Sequence, residues 1–291
     1  MQQRSGAFLV LASAAAFGVM PVFGKLAFEA GMGVATLLAV RFALAAPLLW
    51  ALAAARGELP RARPGMVARA LALGAVGYAV QSGLYFLALA RMDAGVLSLI
   101  LYTYPALVTG AAVLLGREPA SRRRLAALVI ASGGLVLVLV GGGAGAFDLA
   151  GAALGAGAAL AYTAYILVSH GVTAEMEPLP LAALIATGAA VTLTATALVT
   201  GSFSTGFAAG GWLWAGLAAV VSTVLAVAFF LNGMSRVGPS TAAILSTLEP
   251  PVTVSLAFLT FGEALGALQL AGAAAVLGAA VLVNLPGASR V

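Results

Sequence analysis

Two long stretches of this sequence align without a gap and decide how the chain folds. RMDAGVLSLILYTYPALVTGAAVLLGRE runs from Arg91 to Glu118, and RVGPSTAAILSTLEPPVTVSLAFLTFGE runs from Arg236 to Glu263. The shift of 145 residues between them brings the first arginines, the central prolines and the last glutamates of the two stretches into register. The chain therefore contains an internal repeat.

The repeat extends over both halves of the chain. The same shift aligns Gly6 with Gly151 and Leu125 with Leu270. We expect a first repeat at 1–145 and a second at 146–291, with the glycine-rich segment from Gly141 to Gly151 as the hinge or linker between them. Two similar halves of opposite orientation can exchange conformations, which opens a central site first to one side of a membrane and then to the other.

The composition is that of a polytopic membrane protein. Of 291 residues, 63% are hydrophobic and 8% are charged, and the mean hydropathy is +1.11. Because the apolar runs lack strand alternation, we predict an all-α membrane protein with ten transmembrane helices. Each repeat holds five of them, an odd number, so the second repeat crosses the membrane in the opposite sense and the helices form two inverted five-helix repeats. The predicted spans are 6–27, 34–55, 67–89, 95–115, 122–141, 149–170, 179–200, 211–233, 239–262 and 266–285.

The basic residues predict the orientation. Only Lys25 and Arg91 are expected on the side opposite the N-terminus, and Arg41 falls inside a span. Since basic residues in short loops stay in the cytoplasm, we expect both termini to be cytoplasmic. The net charge of +5 then reflects topology rather than a nucleic-acid partner. The basic residues expected in the cytoplasm are Arg4, Arg56, Arg61, Arg63, Arg69, Arg117, Arg122, Arg123, Arg124, Arg236 and Arg290.

Polar residues form stripes on several spans. The third span carries Tyr78, Gln81, Ser82 and Tyr85 at helical spacing, which is one polar face on an apolar helix. Such groups are expected to avoid lipid and to meet each other, water or a substrate. A serine or threonine in a membrane helix also commonly bonds to its own backbone, and this interpretation stays open. The other predicted substrate-binding residues are Ser98 and Tyr102 in the fourth span, Tyr162 and Tyr165 in the sixth, and Ser246 and Glu249 in the ninth.

Two prolines interrupt the aligned spans. Pro105 and Pro250 each remove a backbone donor and are predicted to bend the fourth and ninth spans in mid-membrane, which would make these helices the moving gates. Beside Pro250 lies Glu249, the only acidic residue near the middle of a predicted span. We expect its protonated carboxyl to donate to the carbonyls of Ser246 and Thr247. Two roles stay open: Glu249 only stabilises the kink in the helix, or it takes part in amine binding or proton coupling.

Arg41 admits two interpretations. It lies about one third of the way into the second span, where it could extend to the outer surface or anchor an internal ion pair. We favour a structural role. The fifth and tenth spans carry few polar residues, and we assign them to scaffolding or subunit contact.

Enzyme functions find little support. The single histidine, His170, comes without a Gly-x-Ser-x-Gly motif, the two aspartates lie far apart, and there is no cysteine. No phosphate-binding loop of the form GxxxxGK[ST] occurs, which argues against nucleotide-driven transport. We predict no enzyme activity, no metal and no cofactor.

In these features the chain resembles the ten-helix EamA-type metabolite exporters of the drug/metabolite transporter superfamily. The resemblance rests on LLAVRFALAA around Arg41, the PAL and EPP segments, the endings at Glu118 and Glu263, and the paired five-helix halves. It implies export of amino acids or related metabolites through a cavity lined by spans 1, 3, 4, 6, 8 and 9, in a bacterial cytoplasmic (inner) membrane. The tyrosine-rich spans are similar to the aromatic amino acid exporter branch.

Three function classes remain, in descending order. The first is a secondary exporter of amino acids with aromatic or large neutral side chains; the second is a passive facilitator or channel for small neutral metabolites; the third is a membrane scaffold. A channel would show rings of like charge or a carbonyl filter, and a scaffold would not need aligned polar stripes. The expected partners are a small-molecule substrate and the lipid bilayer, with the protein as a monomer or weak dimer.

Overall fold

The structure is a computed structural model that describes residues 2–58, 63–117, 121–141, 148–173 and 176–285. Within these ranges, ten helices are long and apolar enough to cross a membrane, as predicted. Some of the predicted features lie outside the described residues: Arg61, Glu118, Arg290 and most of the glycine-rich linker.

The ten helices, α1 to α10 in chain order, include five that are interrupted or change their hydrogen-bond pattern within the span. The continuous helices are α2 (Val34–Ala55), α5 (Arg122–Val140), α6 (Leu149–Thr173), α7 (Pro178–Val199) and α10 (Ala267–Asn284). The divided ones are α1 (Gln2–Gly18 and Met20–Glu29), α3 (Pro64–Ala72, Leu73–Tyr78 and Ala79–Leu89), α4 (Ala94–Leu101 and Tyr104–Leu114), α8 (Gly210–Ala219, Val220–Leu225 and Ala226–Val237) and α9 (Pro239–Ser246 and Glu249–Phe261).

The helices pair across the two repeats. The N-terminal part of α1 packs along the last part of α8, and the equivalent pair in the inverted sense is α6 against the last part of α3. We call the end of the bundle that holds the start of α1 the terminal end. There, Arg236 donates to Ser5 over 3.2 Å. At the opposite end, Arg91, the repeat partner of Arg236, donates to Asp148 over 3.1 Å. The two ends thus carry related contacts, as inverted repeats require.

Two further pairs hold the periphery, α2 with α7 and α5 with α10. The second pair approaches closely where Gly134 faces Gly272, because a Cβ on Gly134 would lie 2.8 Å from the Gly272 carbonyl oxygen. Small residues at such contacts let two membrane helices pack backbone to backbone. The described α5 and α10 therefore contact each other within one chain.

The two helices that contain Pro105 and Pro250 are interrupted in mid-span, at the places where bends were predicted. α4 stops at Leu101 and restarts at Tyr104, and Pro105 stands in the first turn of the restarted helix. α9 stops at Ser246 and restarts at Glu249, with Pro250 in the same place. Proline is tolerated in a first turn because the N–H it lacks would have no partner in the helix there.

α3 and α8 share a different irregularity. Each contains a six-residue π-helical segment, Leu73–Tyr78 and Val220–Leu225, at nearly equivalent positions of the two repeats. The π segment of α3 lies against α7, where a Cβ on Gly74 would come within 2.0 Å of the Ile185 carbonyl oxygen. Such segments widen the helix locally and frequently occur at functional sites.

Candidate functional site

A cavity of about 100 Å³ lies where the interrupted helices meet the π segment of α3. Both repeats contribute to it, although the first repeat supplies most of the side chains. Its lining consists of Phe17, Met20, Arg41, Tyr78, Gln81, Ser82, Tyr85, Phe86, Leu101, Tyr102, Tyr104, Tyr162 and Glu249.

Five of the six tyrosines line this cavity, and Tyr165 stands directly behind Tyr162. All the tyrosine rings except that of Tyr85 form a continuous series, with Tyr102 and Tyr104 centred 5.7 Å apart, Tyr104 and Tyr162 4.7 Å apart, and Tyr162 stacked on Tyr165 at 6.0 Å. Tyr165 in turn lies 5.8 Å from Tyr78. Aromatic rings at these separations attract one another and offer both a flat apolar face and a hydroxyl to a ligand.

Glu249 enters the cavity from the first turn of the restarted α9. A helix N-terminus favours a negative side chain, since its backbone N–H groups carry partial positive charge. The Tyr102 hydroxyl lies 3.5 Å from Oε2 of Glu249 and donates a short hydrogen bond to the Ser246 carbonyl oxygen. Tyr102 thus binds one of the two carbonyls that Glu249 was expected to bind, and the donation from a protonated Glu249 stays a prediction.

Arg41 reaches the cavity from α2. Its side chain is fully buried, and its Nε donates to the Thr223 hydroxyl over 2.9 Å. Among the residues that the structure describes, no ion pair includes Arg41. Both sequence-based interpretations of this residue are wrong, because it neither extends to the surface nor pairs with a carboxylate there.

The structure brings most of the predicted substrate-binding residues to one place. Seven of the ten line the cavity, namely Tyr78, Gln81, Ser82, Tyr85, Tyr102, Tyr162 and Glu249. Gln81 and Ser82 bring an amide and a hydroxyl to the cavity wall, where water or a substrate can bind them. Buried groups of this kind need a partner to offset their lost hydration.

Three predicted residues lie outside this lining. The Ser98 hydroxyl donates to the Gly95 carbonyl oxygen of its own helix over 2.8 Å. Tyr165 stands behind Tyr162, where it also borders an apolar groove between α3 and α6. Ser246 contributes its backbone carbonyl oxygen, which the Tyr102 hydroxyl binds.

Six residues of the lining were not predicted from the sequence, namely Phe17, Met20, Arg41, Phe86, Leu101 and Tyr104. From the sequence, α8 was also expected to line the cavity, whereas α2 does so through Arg41. Two of these residues carried a usable signal. Phe17 is the repeat partner of Tyr162, and Tyr104 is the repeat partner of Glu249. The internal symmetry alone would have placed both at the site.

A second cavity of about 200 Å³ lies between the first cavity and the terminal end. Tyr102 and Tyr104 line both cavities and so form the partition between them. The remaining walls come from α4, α6, α9 and α10, and Pro105, Ile166, Thr247 and Asn284 are among their residues.

Contacts among three helices close the opposite end. Lys25 near the end of α1 forms a short ion pair with Glu263, which follows α9. The second carboxylate oxygen of Glu263 accepts from the backbone N–H of Ala94, the first residue of α4, over 2.8 Å. One glutamate therefore links the ends of α1, α4 and α9.

The comparisons with known proteins agree with this architecture. Residues 4–140 and 149–285 each match the EamA-like transporter family. The chain is 28% identical over 284 residues to the Bacillus subtilis (strain 168) protein called uncharacterized transporter YcbK, covering 94% of this chain and 91% of that protein. It is also similar to a protein known from a crystal structure, with a TM-score of 0.65, 18% identity and 96% of each chain covered; at that identity the likeness shows the fold alone.

Proposed function

The chain belongs to the EamA-like transporter family, and we propose on that premise that it is a secondary transporter that exports amino acids with aromatic or large neutral side chains by alternating access. The observation that carries this proposal is the convergence of five tyrosines and Glu249 on one cavity beside two interrupted helices, with the sixth tyrosine, Tyr165, directly behind Tyr162. Aromatic walls with a few free polar groups are typical of sites for apolar or aromatic small molecules.

The cavity's polar groups fit an amino acid better than a sugar or an anion. The walls hold one carboxyl group, that of Glu249, beside the amide of Gln81 and the hydroxyl of Ser82. A carboxylate can bind the substrate's ammonium group, while the tyrosine rings stack on its side chain.

Alternating access is supported by a difference between the two ends of the bundle: polar contacts join the helices at one end, and a second cavity lies toward the other. The Lys25–Glu263 ion pair and the Ala94 hydrogen bond tie α1, α4 and α9 together at the opposite end. Toward the terminal end, only the tyrosine partition separates the central cavity from the second cavity. In the proposed cycle, breaking the contacts of Glu263 opens the opposite end after the terminal end has closed.

The distribution of basic residues supports an orientation for the proposed export. Because basic residues in short loops favour the cytoplasm, the terminal end in our proposal faces the cytoplasm of a bacterium, and the second cavity is the cytoplasmic entrance. Substrate then moves from the second cavity to the central one and leaves at the opposite end. No nucleotide-binding loop occurs in the sequence, so the driving force is a gradient or exchange.

The test is counterflow in proteoliposomes that contain the purified protein. Vesicles loaded with unlabelled L-phenylalanine are diluted into a trace of labelled L-phenylalanine. We expect transient accumulation of the label, saturation with concentration, and no response to sugars or sugar phosphates. Saturable movement without counterflow would indicate a passive facilitator, and movement of sugars with no response to phenylalanine or tryptophan would refute the proposal.

A further inference from the structure

Arg41 is a buried cation that the amino acid export proposal does not yet use. Its side chain is 1% exposed, and it is the only basic residue that lines the central cavity. A charged side chain inside a membrane is costly, by up to about 2.5 to 3.5 kcal/mol at the centre of a helix on insertion scales. Such a residue needs either a counter-ion or a function, and among the described residues it has no counter-ion.

The surroundings of Arg41 hold the guanidinium in one orientation. The rings of Phe42 and Phe86 lie 4.8 and 5.5 Å from its Cζ, which provides cation–π attraction. Its Nε donates to Thr223, and the Thr223 hydroxyl donates in turn to the Ala218 carbonyl oxygen over 2.9 Å. Because the hydroxyl proton is used by Ala218, the oxygen of Thr223 is fixed as an acceptor for Arg41.

One part of the guanidinium remains without a partner. Nη1 is buried and makes no hydrogen bond in the described structure. A buried donor without a partner loses its hydration and gains nothing in return, and the loss is larger for a charged group. The unpaired Nη1 and the position of Arg41 in the cavity wall together point to a ligand with acceptor oxygens.

We infer that Arg41 binds the carboxylate of the transported amino acid. The planar guanidinium fork matches a carboxylate in geometry and charge. A phosphate dianion fits less well, because the cavity wall holds a single cation and also the carboxyl group of Glu249. This inference rests on the proposed function and adds that the substrate is recognised by its carboxylate, with Thr223 as a positioning residue in α8.

The first test needs no variant. Purified wild-type protein is exposed to L-phenylalanine, to 2-phenylethylamine, which lacks the carboxylate, and to 3-phenylpropionate, which lacks the amine, and the shift in melting temperature gives the affinity. Loss of one charge-assisted contact lowers affinity by roughly tenfold to a hundredfold, so we expect 2-phenylethylamine to bind more weakly than phenylalanine by that factor.

The outcomes separate this inference from the proposed function. If phenylalanine and 2-phenylethylamine bind equally well, the role of Arg41 is refuted while amino acid transport stands. If none of the three compounds binds, both proposals fail. Weaker binding of 2-phenylethylamine than of phenylalanine supports the carboxylate contact, and weaker binding of 3-phenylpropionate than of phenylalanine supports the separate contact between the ammonium group and Glu249.

Variants then assign the effect to Arg41. In Arg41→Gln we expect the affinity for phenylalanine to fall to that for 2-phenylethylamine, while the amine itself binds as in the wild type. Arg41→Lys, which keeps the charge without the fork, is expected to lose less. Thr223→Val is expected to weaken phenylalanine binding severalfold, whereas the control Thr187→Val, on α7 away from the cavity, leaves it unchanged. Retained preference for phenylalanine in Arg41→Gln would overturn the inference.

Discussion

The interrupted helices α4 and α9 have the same backbone design but different side chains. Both stop in mid-membrane and restart with a proline in the first turn. At equivalent positions of the restarted helices, α4 carries Tyr104 and α9 carries Glu249. The duplicated feature is the backbone interruption that lets a helix bend, and the feature that differs is the chemistry presented to the cavity.

The same division applies to α3 and α8. Both contain a π segment, but only α3 continues into the polar stripe of Gln81, Ser82 and Tyr85 that faces the cavity. The equivalent residues of α8 are apolar, and α8 contributes Thr223 as the partner of Arg41. The repeats therefore share what an alternating mechanism needs, while substrate recognition is concentrated in the first repeat and in Glu249.

The largest expected effect comes from Glu249→Gln. Glutamine keeps the shape and a donor but loses the carboxylate, and so it removes both binding of an ammonium group and proton exchange. We expect counterflow of L-phenylalanine to fall by about a hundredfold or more, consistent with loss of a buried charge-assisted contact that the transport cycle requires. Glu177→Gln, at an exposed position before α7, serves as the control. Transport at the wild-type rate with unchanged pH dependence would reduce Glu249 to a stabiliser of the helix break.

An intermediate effect is expected from Pro105→Ala and Pro250→Ala. Each variant restores a backbone donor that can close the gap in its helix, so the bend becomes stiffer. We expect transport to slow by about tenfold with a smaller loss of expression, because the packing of the helices is retained. Pro47→Ala, inside the continuous α2, is the matched control and is expected to transport normally. Full activity in both helix-break variants would contradict the gating role.

The smallest expected effect is that of Tyr102→Phe. The change removes the hydroxyl that bonds the Ser246 carbonyl oxygen across the two broken helices and keeps the ring in the tyrosine series. Loss of one neutral hydrogen bond costs about 0.5 to 1.5 kcal/mol, which corresponds to a severalfold change in transport rate or in stability. Tyr104→Phe leaves the α4–α9 hydrogen bond intact and is expected to have less effect. The initial rates of phenylalanine uptake for the two variants compare them, and an equal response would argue against a linking role for Tyr102.

Much of the fold could be predicted because hydropathy and the repeat are both visible in the sequence. The second span was predicted at 34–55 and is found at Val34–Ala55, and the breaks in α4 and α9 followed from their prolines. The π segments of α3 and α8 could not be predicted, since a change of hydrogen-bond register leaves no trace in the order of apolar residues. α3 also begins at Pro64, three residues before its predicted start, because proline is favoured in a first helical turn.

The site was less predictable for a physical reason. Tyr78 and Gln81 could be predicted because polar side chains on a membrane helix avoid lipid. Seven of the ten residues predicted in this way line the cavity. Ser98 had the same appearance in the sequence, yet it bonds to its own helix. For Arg41, the sequence indicates depth but not the direction of the side chain, which depends on packing against Phe42, Phe86 and Thr223.

In the proposed mechanism, one cavity is reached alternately from the two ends. Because the chain has no cysteine, a single Ser82→Cys variant gives a labelling site in the central cavity without background. In sealed vesicles of either orientation, an impermeant maleimide is applied from one side at a time, with and without L-phenylalanine. The same measurement is repeated in Ser82→Cys combined with Glu263→Gln, which removes the carboxylate that pairs with Lys25 at the opposite end.

We predict fast labelling from the terminal end, slow labelling from the opposite end, and protection from both sides by phenylalanine. Glu263→Gln should raise the opposite-end rate and lower the terminal-end rate, since opening one end closes the other. Two results would contradict alternating access and indicate a continuous pore. One is an equal labelling rate from both ends that Glu263→Gln leaves unchanged, and the other is a labelling rate that Glu263→Gln raises from both ends at once.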